Sequence, residues 1–579
     1  MRNFTGYATT ILRKQYTLNR WDLLALFIVF GILILLALAA KQFSVPYQLG
    51  QVVPLSLSPS HLPDYALQTV MRMLIALLFS LLFTFTIGTL AAKNAHAEKI
   101  LIPIIDILQS VPVLGFLSIT VVGFIALFPG SLWGPECASI FAIFTSQVWN
   151  ITLSFYQSLR TVPEDLKEAA AMFHLSAWQR FWRIEVPFAM PGLLWNVMLS
   201  MSASWFFVVA SEAITVSGQN IVLPGIGSYI ALAITHSNIK AVVYAILTMF
   251  FVILLYDQLL FRPLVKWSER FKAEQTGTET TTKAWSVKLF HRSRLFRYAG
   301  FFLALFADKW INISIFNRQN TAEIKPTNPW LTYFIVIIWY IVLAIGLISA
   351  IVIVYNFIQN SLTVVDLKHT LLLGLITLAR VIATVIVSTI IWLPIGVWIG
   401  LKPRVAEIAQ PVAQFLAAFP TYVLFPVVVI MILHFHLNVE IWVTPLMLLG
   451  TQWYILFNVI AGAAAIPKDL RQAADNFGVN GWLWWIRLIL PGIFPYYITG
   501  AITAVGNAWN TTVAAEVVSW GHITLHATGL GAFISDNAAS GNFPNLAIGI
   551  GVMSLFVVVL NHVLWRPLYV LAKSRYQLD

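Results

Sequence analysis

The sequence of 579 residues is poor in charge, since only 10% of its residues are Asp, Glu, Lys or Arg, whereas soluble domains carry about 25%. With 59% hydrophobic residues it has too few polar side chains to cover a water-exposed surface, which excludes a soluble globular protein. The single cysteine, Cys137, excludes an internal disulfide framework and a thiolate metal cluster. No Gly-Lys dipeptide occurs, so an ATP-binding P-loop is excluded as well.

The net charge of +11 does not indicate nucleic-acid binding. Its basic residues lie between apolar runs and form no aromatic-interleaved groove that would follow a phosphate backbone. His434 and His436 have chelating proximity, but no third ligand is near them in the sequence. We therefore expect no nucleic-acid partner, no metal site and no cofactor in this chain.

Apolar stretches of membrane-spanning length recur along the whole chain. A helix needs about 20 mostly apolar residues to cross the hydrocarbon core, and we count twelve such stretches. They cover approximately residues 22–40, 66–92, 110–128, 138–159, 187–210, 241–261, 331–355, 371–399, 412–433, 440–462, 489–515 and 545–565. The sequence thus predicts an all-α membrane protein with about 12 transmembrane helices.

The basic residues indicate the orientation of these spans. If both termini are cytoplasmic, the cytoplasmic segments contain 30 of the 35 Lys and Arg residues, as the positive-inside rule requires. We predict a cytoplasmic linker over residues 266–329. Its apolar stretch 299–307 is too short to cross and follows several arginines, which favours an amphipathic helix on the inner leaflet.

The second half of the chain repeats the first at an offset of 308 residues, which becomes 304 after the third span. Arg72 matches Arg380 in the first register, and Trp205 matches Trp509 in the second. We divide the chain into a first half (1–265, core about 66–265), the linker, and a second half (330–579, core about 371–570). Each half crosses an even number of times, so the repeats are parallel and related by an axis along the membrane normal.

A cytoplasmic segment of each repeat contains a Pro-led, Ala-rich motif. Pro at a helix start and acids in the first turn predict a short helix at Pro163 and another at Pro467. Apolar residues recur at i, i+3, i+4 and i+7, which places them on one helical face. The residues that we assign to the motif are Pro163, Leu166, Glu168, Ala169, Ala170 and Phe173, and then Pro467, Leu470, Gln472, Ala473, Ala474, Phe477 and Gly478.

The paired alanines make each of these faces shallow in the middle. A shallow apolar strip between charged flanks, outside the bilayer and present twice, predicts docking against a groove of another protein. The alternative is an interfacial helix that rests on its own bundle.

The motif resembles the EAA loop of ATP-binding-cassette (ABC) importer permeases, which reads Glu-Ala-Ala, then Gly four residues after the second Ala, then Ile-x-Leu-Pro. Each copy departs from it once, with His174 in place of Gly and Gln472 in place of Glu. The resemblance implies a type I ABC-importer permease of two parallel six-helix repeats. It also implies that the two helices couple to a separate ATPase dimer, which holds ATP and Mg²⁺.

Further segments look like permeases of the nitrate, sulfonate, taurine and bicarbonate group: residues 506–509 leading to Glu516, and residues 528–531. This resemblance implies a multi-pass protein of the bacterial inner membrane. It also implies import of a small, often anionic solute delivered by a periplasmic or lipid-anchored binding protein.

Four ionisable residues near the outer ends of spans are candidates for the translocation pathway. Arg72 and Arg380 would attract an anion at an outer mouth, or each would extend to the outer headgroups. Glu212 and Glu516 would pair with these arginines, form a gate, or end their helices in water.

Two other classes of protein fit the sequence less well than an ABC permease. An ion-coupled secondary transporter with two six-helix repeats is the alternative, although the spans lack a convincing carboxylate or histidine relay. A membrane enzyme or scaffold would need a nucleophile and base, or metal ligands, at one depth, and such spacings are absent from the sequence. We therefore predict that the chain is not an enzyme.

Overall fold

The computed structural model of the protein describes residues 55–216, 219–271, 293–312 and 364–575, with a few isolated positions between 341 and 356. The described part of the first repeat contains eight helices and one β-hairpin. In chain order these are α1 (Pro59–Lys93), α2 (Ala95–Ser110), α3 (Val113–Leu127), α4 (Trp133–Arg160), α5 (Glu164–Met172), α6 (Ala177–Ser211), β1 (Ala213–Val216), β2 (Gln219–Val222), α7 (Ile226–Thr235) and α8 (Ile239–Ser268).

After the linker helix α9 (Arg294–Ile311), the second repeat follows the same order of elements. These are α10 (Val364–Gly400), α11 (Pro403–Ala418), α12 (Phe425–His434), α13 (Val439–Ala465), α14 (Lys468–Asn476), α15 (Gly481–Ala515), β3 (Val517–Trp520), β4 (Ile523–His526), α16 (Leu530–Ser540) and α17 (Phe543–Ala572). The repeat seen in the sequence is therefore a repeat of secondary structure.

Eight helices of the described residues are long and apolar enough to cross a membrane, and the bent pair α2–α3 raises that number to nine. They include the second, fourth, fifth and sixth predicted spans of the first half and their counterparts in the second. Of the other predicted spans, 22–40 lies outside the described residues, and 331–355 lies outside them except for isolated helical positions from 341 onward.

The predicted span 110–128 corresponds to α3, whereas the predicted span 412–433 is interrupted between Ala418 and Phe425. In the first repeat, α3 has 15 residues, fewer than the roughly 20 that a crossing requires, and it is bent by 100° from α2. In the second, the helix ends at Ala418 and a new one starts after Pro420. Proline lacks an N–H and disfavours helical geometry in the residue before it, so Pro112 and Pro420 break the helix where hydropathy is continuous.

The segments 93–103 and 400–411, which lie between predicted spans, are largely helical. The side chain of Asn94 accepts hydrogen bonds from the backbone N–H groups of His96 and Ala97, which caps the start of α2. Pro403 occupies the first turn of α11, where its missing N–H costs nothing. Both segments therefore contain true helix starts.

The described helices form two compact units, which we treat separately. The smaller unit contains α5, the start of α6, the end of α8 and α9, and the larger unit contains the remaining described elements. Both repeats contribute to the core of the larger unit, where Trp205 and Trp509 are fully buried. The N–H of Val113 donates to Oδ1 of Asn510 across the two repeats (2.7 Å).

Each β-hairpin of the larger unit reaches across to the other repeat. Strand β1 lies beside α16, and β3 lies beside α7. At the turn between β3 and β4, the N–H of Gly521 donates to the carbonyl of Ile234 (2.9 Å). Gly521 has a φ of 61°. A Cβ at this position would meet the hydroxyl of Ser237, so the turn packs closely against the end of α7. In the second repeat, α14 and this hairpin lie at opposite ends of the 35-residue α15.

Candidate functional sites

A buried ion-pair set lies at the base of the first hairpin. Arg72 of α1 donates from Nε and Nη2 to both carboxylate oxygens of Glu136 on α4 (2.6 Å each). Its Nη1 donates to Glu212, the residue that follows α6 (2.7 Å). Glu212 also accepts a hydrogen bond from the hydroxyl of Thr69 (2.6 Å). All four side chains are buried, so one guanidinium joins three helices within the protein.

The same set holds the start of α7 against the end of α6. The N–H of Ile226 donates to the hydroxyl of Thr69 (3.1 Å), and the N–H of Gly227 donates to Glu212 (2.7 Å). A Cβ at Gly225 would fall on the carboxyl group of Glu212, so only glycine permits this approach. The glycines after the hairpin therefore serve the packing of a buried carboxylate.

An equivalent set lies at the base of the second hairpin. Nη1 of Arg380 donates to Glu516 (2.9 Å) and to the carbonyl of Thr528 (2.7 Å), and its Nη2 donates to Glu440 of α13. Thr377 donates to Glu516 (3.0 Å), as Thr69 does to Glu212. The sets differ in burial, because the Glu440 side chain is 44% exposed whereas that of Glu136 is 2% exposed.

These contacts decide between the alternatives that the sequence left open. Arg72 does not extend to headgroups, since its side chain is fully buried between two carboxylates. Glu212 and Glu516 are paired with the arginines and are not solvated helix ends. Arg72 already donates to carboxylates from three nitrogens. In this conformation its role is therefore to hold the helices together. A place for these residues along the pathway stays a prediction.

Sequence reasoning missed the second carboxylate of each set. Glu136 and Glu440 were given no role, although both are acids in apolar runs and are related by the same 304-residue offset as Glu212 and Glu516. A charged residue that recurs in register within two apolar segments is the signal that would have found them.

Replacing Glu136 by Gln is expected to destabilise the protein more than replacing Glu440 by Gln. Loss of one partner from a fully buried ion pair costs about 3–5 kcal/mol, because no water replaces it. The Glu440 side chain is 44% exposed, and exposed pairs contribute about 1 kcal/mol or less. The midpoint of thermal unfolding of the purified protein in detergent measures the difference, and equal shifts in the two variants would contradict it.

The Pro-led motif forms a short helix in each repeat, one residue later than its proline suggests. Helix α5 follows Pro163 and α14 follows Pro467. Each ends in the same reversal, because His174 (φ 49°) and Gly478 (φ 64°) both adopt the left-handed conformation. The N–H of the next residue then donates to the carbonyl of Ala170 in one repeat and Ala474 in the other, which is a Schellman end. His174 thus takes the backbone conformation that the motif assigns to Gly.

The apolar strip of these helices is divided between two faces. Ala170 and Ala474 are buried against the protein, and Ala169 and Ala473 are half-buried. The residues that project away from the protein are Phe173 (77% exposed) and Phe477 (85% exposed), with Leu166, Glu168, Leu470 and Gln472 also exposed. The expectation of one face with alanines at its centre is therefore corrected, because the alanines face the chain itself.

The two repeats share a bundle of membrane-length helices and a short Pro-led helix, which makes the chain a duplicated membrane protein. The chain belongs to the family described as "Binding-protein-dependent transport system inner membrane component", which matches residues 84–262 and again residues 392–573. Each match includes the Pro-led helix, the ion-paired glutamate at the end of the following span, and the hairpin.

Curated relatives are similar over part of their length. The chain is 27% identical over 160 residues to the bicarbonate transport system permease protein CmpB of Synechococcus elongatus, covering 28% of this chain and 54% of that protein. It is 25% identical over 185 residues to the nitrate import permease protein NrtB of Leptolyngbya laminosa (32% and 63%). It is 26% identical over 145 residues to the taurine transport system permease protein TauC of Escherichia coli (25% and 50%). The chain thus spans less than two thirds of each of these relatives.

Proposed function

We propose that the protein is the transmembrane permease of an ABC importer, and that a separate ATPase dimer docks on α5 and α14. The observation that carries this proposal is the pair of strongly exposed phenylalanines, Phe173 and Phe477, at equivalent helix ends. Exposed aromatic side chains on short polar helices are typical of protein interfaces, where aromatic residues are enriched. Both copies show the feature, which suits a partner that is itself a dimer.

The energy for transport comes from this partner. The sequence has no Gly-Lys dipeptide and hence no P-loop, so the chain binds no nucleotide by that route. Closure of the ATPase dimer would draw α5 and α14 together and rock the two repeats as rigid bodies. The two ion-pair sets support rigid motion, because each joins three helices at the base of a hairpin.

The two hairpins form the outer closure of the pathway. Each is fixed to its own repeat by an ion-paired glutamate, Glu212 or Glu516, and packs on a helix of the other repeat. Opening to the outside therefore requires the contact between Gly521 and Ile234 to separate. In this proposal the structure represents a conformation closed at that end.

The solute is a small anion or a comparable polar molecule. Support comes from the names of the relatives, which transport bicarbonate, nitrate and taurine. A periplasmic or lipid-anchored binding protein would deliver it to the hairpin side. The proposed location is the bacterial inner membrane, with both termini in the cytoplasm, where most Lys and Arg residues of the loops then lie.

Transport in proteoliposomes tests the proposal. The protein, reconstituted with a partner ATPase and a solute-binding protein, is expected to move labelled nitrate, bicarbonate or taurine only when ATP is supplied. Ionophores that collapse ion gradients are expected to leave the rate unchanged. Uptake that continues without ATP and stops with ionophores would instead identify an ion-coupled secondary transporter.

A further inference from the structure

The linker helix α9 exposes one strongly apolar face. Tyr298, Phe301, Phe302, Leu305 and Phe306 are all exposed, and their spacing of i, i+3, i+4, i+7 and i+8 places them on one side of the helix. Four aromatic rings on a single face of an 18-residue helix are unfavourable in water. This face therefore indicates a partner that accepts aromatic side chains.

The chain around the start of α9 carries charge of one sign. Five basic residues and no acidic one occur between positions 283 and 307: Lys283, Lys288, Arg292, Arg294 and Arg297. The N-terminus of a helix already bears a partial positive charge, so basic residues there repel it unless an anion is close. An aromatic face on a helix that begins with Arg294 and Arg297 matches the apolar boundary and anionic headgroups of a lipid surface.

The C-terminal end of α9 is attached to the first coupling arm, which we define as residues 164–185. Trp310 packs on Trp178 with ring centroids 6.3 Å apart. Arg183 donates to Asp308 and to Asn312 (3.2 Å each). The segment that presents α5 to its partner is therefore in direct contact with α9.

In the described part of the chain, no linker helix packs on the equivalent segment of the second repeat. Trp482, which is equivalent to Trp178, is 75% exposed. We propose that α9 binds anionic lipid headgroups of the inner leaflet and so anchors only the first coupling arm to the membrane surface. The inference rests on the proposed function for the role of that arm, whereas the lipid contact itself does not require it.

A fluorescent label at position 302 tests the lipid contact in the full-length protein. In a Cys137→Ser background, Phe302→Cys is labelled with a polarity-sensitive dye and reconstituted in phosphatidylcholine vesicles with or without phosphatidylglycerol. We expect a blue-shifted emission and a several-fold lower quenching by acrylamide when phosphatidylglycerol is present. Salt at about 1 M, where the Debye length is about 3 Å, is expected to reverse much of the difference.

Charge variants and a second label position make the test specific. Arg294→Gln with Arg297→Gln is expected to remove the dependence on phosphatidylglycerol, whereas Lys99→Gln with Arg404→Gln, an equal change of charge elsewhere, is expected to keep it. Equal quenching in both vesicle types, or a lipid dependence that the first pair of substitutions leaves intact, would overturn the proposal.

A label at Phe173→Cys separates this proposal from the docking proposal. Position 173 should stay accessible to acrylamide in both vesicle types, because Phe173 is assigned to a protein partner. If position 173 is protected by lipid while position 302 responds as expected, the docking assignment fails and the lipid anchor stands.

Discussion

A disulfide between positions 237 and 521 is expected to stop transport until a reductant is added. With Gly521→Cys and Ser237→Cys in a Cys137→Ser background, the Cβ atoms would lie 3.8 Å apart. Natural disulfides have this separation, about 3.5–4.5 Å, so oxidation should require little movement. The bond would join the second hairpin to α7 of the first repeat, and the outer end of the pathway could not open.

A disulfide within one hairpin is the matched control. Ser519 and Thr524 are paired across β3 and β4, and cysteines at both positions would cross-link the hairpin without joining the repeats. This variant should transport normally when oxidised. Gly521→Cys alone controls for strain, because a non-glycine residue at φ 61° costs about 1–2 kcal/mol. Uptake of labelled solute by the fully cross-linked 237–521 protein at the normal rate would show that the hairpins need not separate.

The repeat and the coupling helices were predictable because their signals are local or periodic. A constant offset pairs Trp205 with Trp509, and the proline and acids that start α5 are adjacent in sequence. Such signals specify where a helix begins. They do not specify which side of the helix faces the protein. Residues at i, i+3, i+4 and i+7 form a stripe so broad that part of it can face the protein while another part is exposed. For this reason the burial of Ala170 was not foreseen.

The broken helices and the second carboxylate of each ion-pair set were not predicted from the sequence, for different reasons. Hydropathy measures how apolar a segment is, and it does not detect a change of helix direction such as the one at Pro112. The partners of Arg72 lie 64 and 140 residues away, so their proximity depends on how the helices pack. Only the shared offset of Glu136 and Glu440 pointed to them, and it became informative once the arginines were known to be buried.

Charged substitution of both exposed phenylalanines is expected to abolish binding of the ATPase while leaving the permease folded. Phe173→Asp and Phe477→Asp each remove an aromatic anchor and place a charge where an apolar groove is expected. Loss of an anchor residue costs about 2 kcal/mol, which is about a 30-fold weaker dissociation constant. Together the two substitutions should prevent copurification with the ATPase and ATP-dependent uptake. Because both side chains are exposed, the thermal midpoint of the permease should not change.

The chain offers a close structural control for this variant. Phe435 is also an exposed phenylalanine (62%) at the end of a helix, followed by a histidine with a φ of 50°. It has the same local geometry as Phe173 and lies near the start of α13, at the end of that helix away from α14. Phe435→Asp should therefore leave ATPase binding unchanged. Copurification that survives the double substitution, or that is lost equally with Phe435→Asp, would show that α5 and α14 are not the docking sites.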